Sequence, residues 1–170
     1  MYKILIVDDE SIEREGISFL IEKYKLPLEV AQATNGKTAL EYMRTHPIDI
    51  LLTDVKMPQM DGLELARHTF EKYPDVRILV FSAYGEFEFA KKAMAAQAVS
   101  YLLKPIEVDE FQRVMAQILA RCDELAEKKK DEQQRGEEYR QQLLFRLVTG
   151  TGLGKAHITE EWFSGQTLCL

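Results

Sequence analysis

Ile50-Leu51-Leu52-Thr53-Asp54-Val55-Lys56-Met57-Pro58 is the stretch whose reading decides the fold of this chain. Asp54 ends an apolar run instead of lying on a solvated face. A second acidic cluster, Asp8-Asp9-Glu10, ends another apolar run, Ile4-Leu5-Ile6-Val7. Continuous runs of this kind are the pattern of strands buried on both faces. Two strands that each deliver carboxylates at their carboxyl ends describe a site for a hard cation.

Outward from these two runs, short apolar stretches alternate with amphipathic ones. Strands are expected at Tyr2–Val7, Leu28–Ala33, Ile48–Thr53, Arg77–Ser82 and Ser100–Leu103. Helices are expected over Ser11–Lys25, from Asn35-Gly36 through Met43, over Gly62–Lys72, over Phe87–Ala96 and from Val108 onward. Ser11 is the expected N-cap of the first helix, in which Ile12, Gly16, Ile17, Leu20, Ile21 and Tyr24 recur at helical spacing. In the third, Leu63, Leu65, Ala66 and Phe70 are expected to face inward. Phe87 and Phe89 read as packing residues, and Gly62 as a turn residue. Five β–α repeats with short loops predict an α/β fold, a doubly wound five-stranded parallel sheet with helices on both faces.

Bulk properties narrow the function. The 170 residues suffice for one domain and an appendage, because domains cluster near ~100–150 residues. A formal charge of −6 argues against a nucleic-acid-binding surface, which demands clustered Lys and Arg. Cys122 and Cys169 lie far apart without metal-ligand spacing, a usage that fits a reducing cytosol. The first strand is too short for a signal-peptide core or a membrane span, so a cytoplasmic protein is expected.

In an open parallel sheet, ligands bind beyond the strand carboxyl ends where the strand order reverses. The expected order 2-1-3-4-5 sets strand one beside strand three, so that Asp8, Asp9 and Asp54 crowd three carboxylates into one crevice. Like charges at that spacing raise one another's pKa unless a cation is present. Magnesium fits best, since it prefers a few carboxylates plus waters and a phosphate oxygen. Strand four ends at Ser82, a hydroxyl donor, and strand five at Lys104, a point positive charge. A carboxylate nucleophile, a metal, a lysine and a hydroxyl are the parts needed for phosphoryl transfer to an aspartate. His46, His68 and His157 lie outside the strand ends and read as surface residues.

Asp8-Asp9, Asp54-Val55-Lys56-Met57-Pro58-Gln59-Met60-Asp61-Gly62, Ser82-Ala83 and Lys104-Pro105 together resemble the receiver domain of bacterial two-component response regulators (CheY-like) over roughly Met1–Cys122. That resemblance implies a flavodoxin-like (βα)5 fold and phosphorylation of Asp54 by a sensor histidine kinase. It implies magnesium bound by Asp9, by Asp8 through water, by Asp54 and by the Lys56 carbonyl. It further implies contact of the phosphoryl group with Lys104 and Ser82, an aromatic switch at Tyr101, and a cis bond before Pro105. Phe81-Ser82-Ala83-Tyr84-Gly85-Glu86-Phe87-Glu88-Phe89-Ala90 and Tyr101-Leu102-Leu103-Lys104-Pro105 are similar to YesN-type regulators, in which a receiver and helical linker precede an AraC-type helix-turn-helix domain. No helix-turn-helix pair is recognisable here, so DNA binding is assigned to a part outside this chain.

Three rivals are weaker. An aspartyl-intermediate phosphatase needs a second carboxylate two residues after its nucleophile, where this chain has Lys56. A flavodoxin-like cofactor binder needs a hydroxyl- and glycine-rich phosphate loop after strand one, and none follows. A stand-alone signalling receiver normally stops at its last helix. Here the polar stretch Glu127–Glu138 continues it, predicting a helical linker over residues 123–148. Ile118, Cys122, Leu125, Tyr139 and Leu143 form a heptad-type seam that Lys129, Glu132 and Gly136 interrupt. A weak pairing with a second copy and a solvated tether fit this composition equally well, while homodimerisation on phosphorylation follows from the resemblance. Residues 149–170, with Gly150, Gly152, Gly154 and an apolar end, are expected to begin a further, truncated region.

Overall fold

The structure is a computed structural model that describes residues 1–83 and 99–149. The helix expected over Phe87–Ala96, His157 and the stretch after Thr149 lie outside the described residues. Met1–Ala126 forms one compact unit, and a second begins at Glu127.

Five strands make one parallel sheet: β1 (Tyr2–Val7), β2 (Leu28–Ala33), β3 (Ile50–Asp54), β4 (Arg77–Ala83) and β5 (Val99–Lys104), in the order β2-β1-β3-β4-β5. Four helices are described: α1 (Ser11–Lys23), α2 (Gly36–Met43), α3 (Gly62–Lys72) and α4 (Val108–Thr149). The expected α/β class and strand order are those observed, with a C-terminal helix following the last strand.

Strand alternation sorts the core into two layers. Ile4, Ile6, Ile50, Leu52, Leu79, Phe81 and Leu102 meet Ile17 and Ile21 of α1 and Phe111, Met115 and Ile118 of α4. On the other face Leu5, Val7, Leu51, Ile78 and Val80 meet Ala39 and Met43 of α2 and Leu65 and Ala66 of α3. Each fully buried Ile, Leu or Phe stabilises the fold by roughly 1.5–3 kcal/mol relative to exposure. The apolar runs Ile4–Val7 and Ile50–Leu52 feed both layers, which is why neither alternates.

Several local expectations are corrected. The cap of α1 is Glu10, not Ser11. The Asp8 carboxylate accepts the Glu10 N–H at 2.8 Å, holding Glu10 extended and leaving Ser11 as the first helical residue. That helix ends at Lys23 because Lys25 turns left-handed, at φ 51°. Ile12 is 74% exposed, off the stripe of Ile17 and Ile21. In α3, Phe70 is exposed and Thr69 takes the inward place, four residues after Leu65. Strand β3 begins at Ile50, with Ile48 outside the ladder, and ends one residue later than expected, at Asp54, which pairs with Phe81.

The second unit carries the rest of α4. From Glu127 to Thr149 every residue is exposed, including Tyr139, Leu143, Phe145 and Val148. Among the described residues, no helix is long and apolar enough to cross a membrane.

Candidate functional site: the acidic crevice at the strand ends

Parity along the strands delivers the crevice. Asp8 follows Ile6 by two residues, Asp54 follows Leu52, and Lys104 follows Leu102, so all three side chains rise from the edge of one core layer. Since β1 lies between β2 and β3, Asp8 and Asp54 end adjacent strands.

One ammonium joins the two acids. Lys104 Nζ lies 3.3 Å from Asp8 Oδ2 and 3.1 Å from Asp54 Oδ1, and 4.0 Å from Glu13 Oε1 in the first turn of α1. The remaining carboxylate oxygens accept backbone N–H groups: Glu10 N donates to Asp8 Oδ1 at 2.8 Å and Lys56 N to Asp54 Oδ2 at 3.2 Å. Both acids are buried, Asp8 1% exposed and Asp54 7%. Arg14 Nη1 donates to the Asp8 carbonyl at 2.6 Å and its Nε to Gln32 at 3.3 Å, tying the Asp8 corner to α1 and β2.

Burial pushes the Asp54 carboxyl above the ordinary carboxylate value. The Lys104 hydrogen bond and charge oppose that rise, the Asp8 charge adds to it, and the net direction is upward. For Lys104, burial pulls downward, but the Asp54 hydrogen bond and the charges of Asp54, Asp8 and Glu13 outweigh it, so the ammonium is held more firmly than in water. Two carboxylates sharing one ammonium leave the crevice net negative.

Asp9 is exposed, and among the described residues no group of three or more His, Cys, Asp or Glu side chains is arranged to hold a metal ion. The crevice therefore holds a close pair of acids, not the three crowded carboxylates expected. A rigid cage is nonetheless not what magnesium requires. It binds through one or two carboxylates and keeps several waters. The pair Asp8–Asp54, bridged by a cation already and flanked by exposed Asp9 and exposed Lys56, fits that donor set.

Ser82 is buried at the end of β4, one residue beyond the Phe81 that pairs with Asp54. Tyr101 on β5 pairs with Val80 and packs in the α2/α3 layer, half-buried, with its phenol pushed up by burial. Strand parity gives Ser82 and Tyr101 the same face, on adjacent strands. The Lys104–Pro105 peptide bond is cis. His46 is exposed and stacks on Tyr42; His68 is half-buried beside Glu64, 3.9 Å away.

Three contributors escaped the sequence reading, Glu13, Arg14 and Phe81, and Gly62, expected as a turn residue, does more than turn the chain. A Cβ on Gly62 would lie 1.7 Å from the Asp54 carbonyl oxygen and 2.8 Å from Thr53 Oγ1. The start of α3 is thus laid directly on the backbone of Asp54, and Gly62 N donates to the Val55 carbonyl at 2.9 Å. The eight-residue separation of Asp54 and Gly62 around Pro58 signals a turn but not a close approach. Glu13 and Arg14 could have been found from the helix beginning directly after the acidic strand end, which aims its first turn at the crevice.

Comparison with known proteins agrees with this architecture. Residues 4–116 match the response regulator receiver domain family. The transcriptional regulatory protein YesN of Bacillus subtilis (strain 168) is 41% identical over 121 residues, 71% of this chain and 33% of that protein. Transcriptional regulatory protein DegU of Brevibacillus brevis is 31% identical over 118 residues, 68% of this chain and 50% of its own length. The chain thus matches a third to a half of the length of these relatives. Among solved structures, a two component transcriptional regulator AraC from Clostridium phytofermentans ISDg superposes with a TM-score of 0.68 at 35% identity, covering 73% of this chain and 97% of that one. The REC domain of AraT, a response regulator from Geobacillus stearothermophilus, gives 0.66 at 38% identity, covering 75% and 98%. With the family model spanning most of the chain and the fold in agreement, this protein belongs to the response regulator receiver family of two-component signalling.

Proposed function

We propose that the crevice is a phosphoryl-accepting site and that Asp54 is the acceptor. The observation that carries this reading is the sharing of Lys104 by Asp54 and Asp8, at 3.1 and 3.3 Å, at the buried ends of adjacent strands. A sensor histidine kinase is the donor. An Asp54 carboxylate oxygen attacks phosphorus in line, a P–O bond forms, the P–N bond of the phosphohistidine breaks, and the leaving nitrogen keeps the electron pair.

Asp8, Asp9, Asp54 and the Lys56 carbonyl would hold magnesium, whose charge offsets that of the incoming phosphoryl oxygens. Lys104 follows the phosphoryl group: its ammonium already stands at the Asp54 oxygen and needs only to transfer its contact outward. Ser82 donates its hydroxyl to another phosphoryl oxygen. Tyr101, on the same face as Ser82 and one strand away, takes up the space that movement opens. Contacts available in only one conformation shift the population toward it. The β5 surface and its flanking helices then pair two copies, and α4 carries the change to an output outside this chain. Since YesN, DegU and the AraC-type neighbour are transcriptional regulators, a DNA-binding output is the reading we favour over a stand-alone receiver. The domain division is read as a receiver over 1–122 and a helical linker over 123–148, in the cytoplasm.

The test is labelling by acetyl phosphate with magnesium, wild type against Asp54→Ala. Labelling is expected only in the wild type; equal labelling rejects Asp54 as acceptor. Sedimentation with and without beryllium fluoride reads the pairing step, with a doubling of mass expected. Truncation after Ala126 separates the receiver's contribution to pairing from that of the exposed part of α4.

A further inference from the structure

The aromatic ring of Phe81 is the floor of the crevice. Lys104 Nζ stands 4.5 Å from its centroid, over the ring face. Phe81 is 1% exposed, pairs with Asp54 across the β3–β4 ladder, and belongs to the same core layer that Asp8, Asp54 and Lys104 rise from. The ammonium is therefore bounded by Asp54 on one side, Asp8 on another and a π face beneath, while its side chain keeps 23% exposure toward the mouth. An aliphatic floor would close that space equally well but offer the cation nothing. A desolvated ring face attracts it.

We propose that Phe81 is a positioning residue for phosphoryl transfer: its π face holds the Lys104 ammonium down between the two acids, ready for the incoming phosphoryl oxygen, and keeps it from extending to solvent. This deepens the reading of Asp54 as acceptor and rests on it. A lysine has four rotatable side-chain bonds and a strongly hydrated head, so an ammonium held at a fixed point needs contacts on several sides. The two acids fix it within the plane of the strand ends, but either one alone could be followed outward. The ring supplies the third direction. It also explains why an aromatic residue, and not Val or Ile, serves as the last core residue beneath a charged group.

The experiment compares wild type, Phe81→Leu, Asp54→Ala and a series with mono-, di- and trifluorinated phenylalanine at position 81. Fluorination keeps the ring's shape and progressively weakens its negative face. Two quantities are read: the rate of labelling by acetyl phosphate with magnesium, and the NMR shifts of the Lys104 ε-methylene protons without phosphoryl donor. In the wild type those protons are expected upfield of the exposed lysines, from the ring current of Phe81, and in Phe81→Leu they return to the exposed position. Labelling in Phe81→Leu is expected to slow roughly 3- to 10-fold, the range a partly desolvated cation–π contact supports. Along the fluorinated series the rate falls stepwise while the protein remains folded. If Phe81→Leu does not fold, the fluorinated series alone decides.

Lys104 shifts like those of exposed lysines in the wild type, or a labelling rate indifferent to fluorination, would overturn the role of Phe81. Wild-type labelling that survives Asp54→Ala would instead overturn the acceptor assignment. Because the Lys104 shifts are read with no donor present, the two failures are separable.

Discussion

The sheet is flanked by acids at both of its ends, and the two ends use them in opposite ways. At the amino end, Asp49 accepts the Lys3 N–H on Oδ2 at 2.7 Å. Its own backbone N–H donates to the Lys3 carbonyl at 2.9 Å, and its carbonyl accepts the Arg77 N–H at 2.8 Å. Tyr2 donates its hydroxyl to Asp123 at 2.5 Å, fastening β1 to α4. These acids are met by neutral donors and lock neighbouring elements together. At the carboxyl end, Asp8 and Asp54 share a single ammonium and retain net negative charge inside the fold. At one end the acids serve to tie elements together; the other end is completed only when cationic and phosphoryl groups arrive. The difference follows from what each acid faces, since the residue type is the same.

The largest expected effect comes from Gly62→Ala. A Cβ there has no room against the Asp54 carbonyl, so either α3 or the end of β3 must move. We expect a loss of about 3 kcal/mol, the upper range for overpacking, and collapse of Asp54 labelling, measured by urea unfolding and by acetyl phosphate.

Next, removing an acid should have opposite signs at the two ends. Asp49→Ala strips the Lys3 N–H of its partner and should cost about 2 kcal/mol. Asp54→Asn, in metal-free buffer at pH 7, should instead stabilise the fold by about 1 kcal/mol, in the range of a well-chosen single substitution. The sign follows from proton linkage. Burial raises the Asp54 carboxyl in the fold, so between the ordinary carboxylate pKa and the raised value the folded state binds more protons than the unfolded one. Wild-type stability falls as pH rises through that window, and above it the penalty is fully present. The advantage of Asp54→Asn should shrink as the pH is lowered, as thermal unfolding across pH will show. Magnesium should raise the wild-type melting temperature and leave Asp54→Asn much less affected.

The smallest effect concerns Tyr2. Its hydrogen bond to Asp123 raises the phenol from its ordinary 10.0 to about 12. The stability this contributes is fully present below pH 10 and is lost as pH rises toward 12. In Tyr2→Phe, that part of the alkaline fall in stability should disappear, measured by unfolding between those limits.

How far the sequence went depends on the kind of contact involved. Apolar runs ending in acids, Ile4–Asp8 and Ile50–Asp54, announced both the parallel sheet and the crevice, because burial on both faces and a charge at the strand end leave a pattern along the chain. Asn35-Gly36 announced the start of α2, where Asn35 accepts the Thr38 N–H at 2.9 Å. What escaped was set by geometry between distant residues. Nothing in Gly62 tells of a carbonyl lying against it, and nothing in Phe81 tells of an ammonium above its ring. Asp9 misled because adjacency in sequence to Asp8 places it on the opposite side of the strand's end, where it meets solvent. Phe70 misled because its apolar character was weighed above its place one residue off the stripe of Leu65 and Thr69.

The open end of the sheet is, on the proposed function, completed by a phosphoryl group on Asp54 with a cation beside it. A crystal structure with magnesium and beryllium fluoride tests this directly. Beryllium is expected bonded to an Asp54 carboxylate oxygen, with Lys104 Nζ moved from Asp54 onto a fluoride. Beryllium fluoride on another residue, or none bound while Lys104 still bridges Asp8 and Asp54, would contradict it.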